Sequence, residues 1–514
     1  MSNNFMDMLN NTLTNSSANL RRTENGALGY RSTGKKLLDL NFSVSSMRKM
    51  GEMEIQSRFL SACSEGVDIA ITWLFFVRDV RGGMGERRLF RVCMEALTRE
   101  HPDKVRAVLR LIAEYGRWDD LLCLMNTSVK KDVIKIVVDQ LTDDMKRAEQ
   151  EMPISLLAKW MPSENASSAK TKRLARVFID ALKITPPQYR RMLSGLRKKL
   201  DVVERKMSAN EWEDINYSAV PSRANLIYKD AFLEHDKARR MAFLGMVEKG
   251  DVKINAATLF PHDIVHKYTE NHSWYNRNIK MDDTVEALWA ALPNYLPEEE
   301  GTIVVADGSG SMEIPVDPHS GVRALDVANA LAIYFAERLN GPYHNQYITF
   351  SNNPQLVNLS GFKTLAGKLQ EAYYHCEVAS TNIQAVFELI LETAVKNKLE
   401  QNQMPKNILI ISDMEFNSAT GYHYVDETLF ESIGRKFNAK GYQMPRLVFW
   451  NVNSRTGTIP VKQNAAGVAL VSGFSPAIAK MVLSGKTDPY EALIETLNGE
   501  RYMPVREALK SVKE

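Results

Sequence analysis

The sequence predicts a chain of two parts, an α-helical solenoid followed by a doubly wound α/β domain. Three observations predict it. From about Leu37 to Leu296 apolar residues recur at helical spacing, with few strand-like runs. After residue 300, short buried-type runs rich in Val and Ile alternate with helical ones. Two of those runs, Gly301 to Val305 and Asn407 to Ile411, lead into Asp307 and Asp413. An open parallel sheet collects its ligands just beyond such strand ends.

The bulk numbers agree with a multidomain soluble protein. At 514 residues the chain exceeds one core. Apolar content of 44% and charged content of 25% are ordinary. No apolar run is long enough to span a membrane. The four cysteines, Cys63, Cys93, Cys123 and Cys376, are too scattered for a disulfide framework and fit reduced thiols in a cytoplasmic protein. Net charge is +3. Any surface for a polyanion must therefore be local.

Taken in order, residues 1–20 are Asn/Ser/Thr-rich and read as a flexible N-terminus without the apolar core of a secretory signal. Residues 21–297 read as the helical domain. Phe59 to Val77 reads as one long apolar-periodic run, and shorter ones follow to Val203, separated by polar turns. Stacked helix pairs of this kind make an irregular, HEAT-like solenoid. Residues 298–485 read as the α/β domain: strand 302–306, helix 323–339, strand 346–350, helix 381–397, strand 407–412, helix 427–440, strands 446–451 and 467–471, helix 475–483. Residues 486–514 add two helices.

Two basic stretches suit phosphate. Residues 170–206 carry twelve Lys and Arg against Asp180, Asp201 and Glu204. Lys170, Lys172, Arg173, Arg176, Arg190, Arg191, Lys198 and Lys199 are its candidate phosphate-binding residues. Between two helical runs lies Arg78-Asp79-Val80-Arg81-Gly82-Gly83-Met84-Gly85-Glu86-Arg87-Arg88. Its glycines permit close backbone approach, and Arg81, Arg87 and Arg88 could hold phosphate; the competing reading is a tight turn with Arg–acid pairing. Tyr115-Gly116-Arg117-Trp118-Asp119-Asp120 reads as a turn with Trp118 buried and Asp119 or Asp120 capping the next helix. Pro261-His262-Asp263-Ile264-Val265-His266 has the outline of a zinc helix, with His272 as a conceivable third ligand, and reads instead as an ordinary helix start.

The stretch Asp307-Gly308-Ser309-Gly310-Ser311 offers a carboxylate and two hydroxyls at alternate positions, with glycines between that let the backbone fold tightly. Thr381 stands at the mouth of a later helix, and Asp413 ends a second buried strand. A small hard cation such as Mg²⁺ takes oxygen ligands of this sort.

These five residues, in this order, resemble the metal-ion-dependent adhesion site of von Willebrand factor A-type domains. The resemblance implies Mg²⁺ or another divalent cation on Asp307, Ser309, Ser311, Thr381 and Asp413, with an acidic protein side chain completing the shell. Asn382 departs from the family, where Asp often follows the Thr; that residue does not touch the ion. A helical solenoid joined to such a domain resembles the Ro autoantigen and other TROVE (telomerase, Ro, vault) proteins. Arg78-Asp79-Val80-Arg81-Gly82-Gly83, Tyr115-Gly116-Arg117-Trp118-Asp119, Val220-Pro221-Ser222 and Leu259-Phe260-Pro261-His262 look most like an uncharacterised phage and plant family related to them. The resemblance implies a helical ring or scaffold that binds single-stranded or misfolded small RNA on basic surfaces. The expected function is RNA binding without catalysis and without a membrane. The alternative is a metal-dependent protein-interaction adaptor. A nuclease is disfavoured, because both carboxylates would be occupied by the ion and no general base remains.

Overall fold

The structure, a computed structural model, describes residues 19–270, 279–296, 301–318, 320–377, 379–418, 429–460, 468–483 and 488–512. The expected N-terminal tip up to residue 18, His272, linker residues 297–300 and helix positions 427–428 lie outside them. Most of the chain is helical, and its sequence-distant parts form two compact units: Met1–Gly51 with Leu259–Thr496, and Glu52–Thr258 with Leu497–Glu514. The boundaries differ from those expected at 297 and 485. The helices Lys36–Phe42, Val44–Met47, Pro261–Thr269 and Asp283–Ala290 belong to the sheet-containing unit and bury their apolar residues there.

That unit is built on a six-stranded sheet. A hairpin of β1 (Leu20–Arg22) and β2 (Leu28–Tyr30) precedes it. The sheet contains β3 (Thr302–Asp307), β4 (Gln346–Phe350), β5 (Gln355–Asn358), β6 (Asn407–Ser412), β7 (Arg446–Asn451) and β8 (Val468–Ser472), in the order β5-β4-β3-β6-β7-β8. All neighbours are parallel except the β4–β5 pair. The five parallel strands match the expected ones to within a residue. They are apolar because both sheet faces are covered: Val304, Val305 and Ile408–Ile411 are buried. Burying each such side chain contributes about 1.5–3 kcal/mol. The Ala324–Arg338 helix packs on β3, β4 and β6, and the Pro261–Thr269 helix packs on it in turn. His262 is buried against Phe474, so the 261–266 stretch is a helix start. Strand order reverses between β3 and β6, so the loops after these two strands leave toward opposite sides and open a crevice at their carboxyl ends.

Sequence reasoning missed β5 and the Leu365–Tyr374 helix. β5 is a four-residue edge strand bearing Gln355 and Asn358, with no continuous apolar run to mark it.

In the helical unit the Phe59–Val77 run is two helices, Glu52–Cys63 and Val67–Arg78, not one. Gly66 at φ 153° breaks them. The last segment of the chain, Met503–Lys510, packs on Val67–Arg78 and on Pro102–Val108. The Arg78–Arg88 stretch resolves in favour of the structural reading at its start. Arg78 makes a buried ion pair with Asp120 at 2.7 Å. Asp79 accepts from Arg501 and from the Tyr502 hydroxyl. A Cβ on Gly83 would overlap the Phe76 carbonyl oxygen, so only glycine closes this turn. In the neighbouring turn Trp118 is half-exposed rather than buried, while Tyr115 is the buried ring. Asp120 accepts the Arg117 N–H at 2.9 Å, as a capping acid does.

Candidate functional site

The crevice at the ends of β3 and β6 brings the five sequence-predicted oxygen donors into one neighbourhood. Asp307 closes β3; its Oδ1 accepts the Ser309 N–H at 2.9 Å and its Oδ2 accepts the Ser412 hydroxyl at 2.6 Å. The Gly308–Gly310 backbone turns tightly enough for the Ser309 and Ser311 hydroxyls to meet at 3.1 Å. The Ser311 hydroxyl also donates to Asp413. The Gly310 N–H bonds the Ala379 carbonyl at 3.0 Å and the Asn417 N–H bonds the Thr381 carbonyl at 3.0 Å. These two bonds draw the Thr381 loop against the turns after both strands. Asn382 caps the helix that follows, accepting the Ala385 N–H at 3.3 Å.

The electrostatics are those of crowded carboxylates. Asp307, Asp413 and Thr381 are all buried. Burial pushes Asp413 up to about 7, with the Asp307 charge adding to it, and burial also raises Asp307. Two acids and three hydroxyls, all oxygen, suit a hard divalent cation. Among the described residues no group of three or more His, Cys, Asp or Glu is placed to hold a metal, so a cation here would depend on the hydroxyls.

Several residues of the site were not anticipated. Arg455, in the loop after β7, places Nη1 3.2 Å from Asp413 Oδ2. Its own Nη2 reaches Glu24, in the β1–β2 turn, at 2.5 Å. Glu415 is buried two residues past Asp413 and accepts the backbone N–H groups of Glu24, Arg455 and Thr456 at 2.8–2.9 Å. Asn25 donates to the Glu415 carbonyl at 2.6 Å and to Thr381 Oγ1 at 3.4 Å. The hairpin thus lies over the Thr381 and Glu415 side of the crevice. Lys49 adds a second cation nearby; burial, and then Arg455 beside it, lower its pKa. The acid in Asp413-Met414-Glu415 was the available signal for Glu415. Arg455 and Glu24 had none, since each is positioned by the fold.

The basic residues lie in the helical unit. Ala169–Leu182 buries Ala175, Phe178 and Ile179 and presents Lys172, Arg173 and Arg176 on the opposite side. Lys170 is exposed on its flank. Pro186–Lys199 buries Tyr189, Leu193 and Leu196 and exposes Arg191 and Lys198. Arg190 pairs with Glu164 at 2.5 Å and Lys199 pairs with Glu151. Arg81, Arg87 and Arg88 are exposed, on a turn and helix start of their own. Arg190 and Arg197 also line a cleft of about 450 Å³ with Glu164 and Glu204. No helix among the described residues is long and apolar enough to cross a membrane.

Known proteins place the chain. Residues 301–511 match a domain of unknown function, DUF7788, and residues 23–143 and 179–302 match a second, DUF2828. The uncharacterized protein L728 of Acanthamoeba polyphaga mimivirus is 30% identical over 530 residues, covering 95% of this chain and 89% of that protein. The chain belongs to the L728 family. Of solved structures, the crystal structure of Deinococcus radiodurans RO (RSR) protein is similar at a TM-score of 0.47 and 13% identity, over 91% of this chain and 100% of that one. In this L728-family chain both the site at β3 and β6 and the 170–206 basic helices fall in segments matched by the family models, apart from residues 170–178.

Proposed function

We propose that this chain is an RNA-binding scaffold whose binding surface is the basic side of the Ala169–Leu182 and Pro186–Lys199 helices. One observation carries the reading. Lys172, Arg173, Arg176, Arg191 and Lys198 are exposed and have no carboxylate partner among the described residues. Cations left uncompensated on two consecutive helices attract a phosphate backbone. The sequence resemblance makes single-stranded or misfolded small RNA the expected polymer. In the same reading a divalent cation, Mg²⁺ first, is held by Asp307, Ser309, Ser311, Thr381 and Asp413, where it would neutralise two buried acids. In this reading the chain acts by binding, not by turnover: Asp307 and Asp413 are taken up by the ion, and Glu415, two residues past Asp413, spends its oxygens on backbone N–H groups and on Thr456.

The test is RNA binding by the purified chain across a salt series, beside a variant with those five cations changed to Ala. Single-stranded RNA should bind in a salt-dependent way. The variant should lose at least tenfold in affinity, with the salt slope falling by about 0.7 for each phosphate no longer neutralised. Equal affinity in the two proteins would sink the reading. A second reading, a metal-dependent adaptor for an acidic protein, is favoured by the oxygen cluster. It predicts Mg²⁺-dependent partner capture that nuclease leaves intact and Asp307→Ala abolishes.

A further inference from the structure

We propose that Arg455 is the built-in counter-ion of the β3–β6 site, that a divalent cation displaces it from Asp413, and that the displacement loosens the Leu20–Tyr30 hairpin. The inference rests on the cation reading above and adds its regulation.

Arg455 is bound on both sides. Toward the site, Nη1 donates to Asp413 Oδ2 at 3.2 Å and to the Ser311 carbonyl at 3.4 Å. Away from it, Nε donates to Glu24 Oε2 at 2.6 Å. The Arg455 N–H is held by Glu415 Oε1 at 2.9 Å, and the Glu24 N–H by Glu415 Oε2 at 2.8 Å. One guanidinium therefore joins a fully buried acid of the site to the turn of the hairpin.

Charge balance explains why the two states exclude each other. Asp307 and Asp413 are buried together, and a single guanidinium contributes one positive charge. A divalent ion on the same oxygens contributes two and repels the guanidinium at close range. It also needs the Asp413 oxygen that Arg455 occupies. Once Arg455 leaves, Glu24 loses the fork that fixes it against the site. Glu24 is exposed, as are Arg21, Arg22 and Asn25, so polar bonds carry much of the hold at this turn. Because linkage is reciprocal, whatever factor hairpin closure costs metal affinity is the factor by which metal favours opening. The hairpin is then the element that uncovers the Thr381 and Glu415 side when the ion arrives.

The experiment uses the full chain and Mn²⁺ as probe, titrated by electron paramagnetic resonance, with amide hydrogen exchange read over residues 20–31. Arg455→Gln should bind Mn²⁺ at least fivefold more tightly than the unmodified chain. Saturating Mn²⁺ should speed exchange in 20–31 of the unmodified chain by severalfold. Arg455→Lys, which keeps a charge but not the fork, should show fast exchange there without metal and no further response to it. A folded Arg455→Gln with unchanged or weaker Mn²⁺ affinity overturns the proposal, as does exchange indifferent to saturating metal. If Arg455→Gln fails to fold, the exchange measurement on the unmodified chain decides. Absence of Mn²⁺ binding in every protein, with Asp307→Ala no different, overturns the cation reading itself and this proposal with it.

Discussion

Arg501 Nη2 lies 2.7 Å from Asp79 Oδ1, although 422 residues separate the two in sequence. Asp79 is fully buried while Arg501 is 43% exposed, so the pair is asymmetric. Removing the arginine strands a carboxylate in the interior; replacing the acid by Asn frees a cation that already meets water and leaves an amide oxygen that can still accept from Tyr502 or the Arg81 N–H. Arg501→Ala should therefore cost about 2–3 kcal/mol, more than Asp79→Asn. Urea unfolding of the two variants checks the order, and equal costs would show that the buried acid is satisfied by Tyr502 and the turn backbone alone.

At the β3–β6 site, a bound divalent ion should raise stability by mass action, by about 2.7 kcal/mol at a hundred times its dissociation constant. Mg²⁺ should thus raise the melting temperature of the unmodified chain. Asp307→Ala should abolish the rise, while Ser309→Ala and Thr381→Ala should reduce it, because each hydroxyl supplies one of several ligands. An identical rise in Asp307→Ala would place the ion elsewhere.

For RNA, the two basic surfaces should separate. Arg81, Arg87 and Arg88 sit on a turn whose backbone is fixed by Gly83 and Asp79, apart from the 170–206 helices in sequence and secondary structure. Changing those three to Ala should weaken RNA binding less than changing Lys172, Arg173, Arg176, Arg191 and Lys198. Comparison of salt slopes for the two variants decides between them; a larger loss from the turn arginines would reassign the binding surface.

The thiols offer a pH test of the interior. Burial pushes Cys63 up to about 11 and Cys123 up to about 12. At pH 8 only about one Cys63 in a thousand carries the reactive thiolate. Modification by a disulfide reagent should be slow in the native chain, accelerate as pH rises toward 11, and become immediate in denaturant. Rapid native reaction at pH 8 would mean these helices open readily.

How much of this was legible in the sequence follows from where each signal resides. Ile408 to Ile411 announced a central strand because both faces of β6 are covered, so every residue had to be apolar. The donor set was legible because Asp307, Ser309 and Ser311 sit within five residues of a strand end. The break at Gly66 was not, because the apolar spacing of Phe59 and Ala62 resumes at Ala70 and Ile71 after a turn only three residues long. The hairpin and Arg455 were illegible for a different reason. Thr23 bonds the Phe416 carbonyl at 2.6 Å, and Tyr30 pairs with Ile459. The hairpin's three-residue strands pair with each other, but the contacts that seat it lie some four hundred residues away and leave no local pattern. At the start of the Arg78–Arg88 stretch the partner of Arg78 is Asp120, again a residue the local pattern does not reveal.

The alternation of segments between the two units has a consequence for synthesis. Ser45 meets Ser472 at 2.9 Å across 427 residues. At about 5–20 residues per second, the ribosome delivers the second roughly 20–85 s after the first. Through that interval the helices of residues 36–47, whose Leu37, Leu38, Leu40 and Phe42 are destined for burial, have no finished sheet to cover them. The helical unit waits longer still, since Arg501 and Tyr502 follow Ser472 in the chain. A chain interrupted before residue 470 would therefore keep Leu37, Leu38, Leu40 and Phe42 uncovered, an exposed apolar face of the kind that invites aggregation.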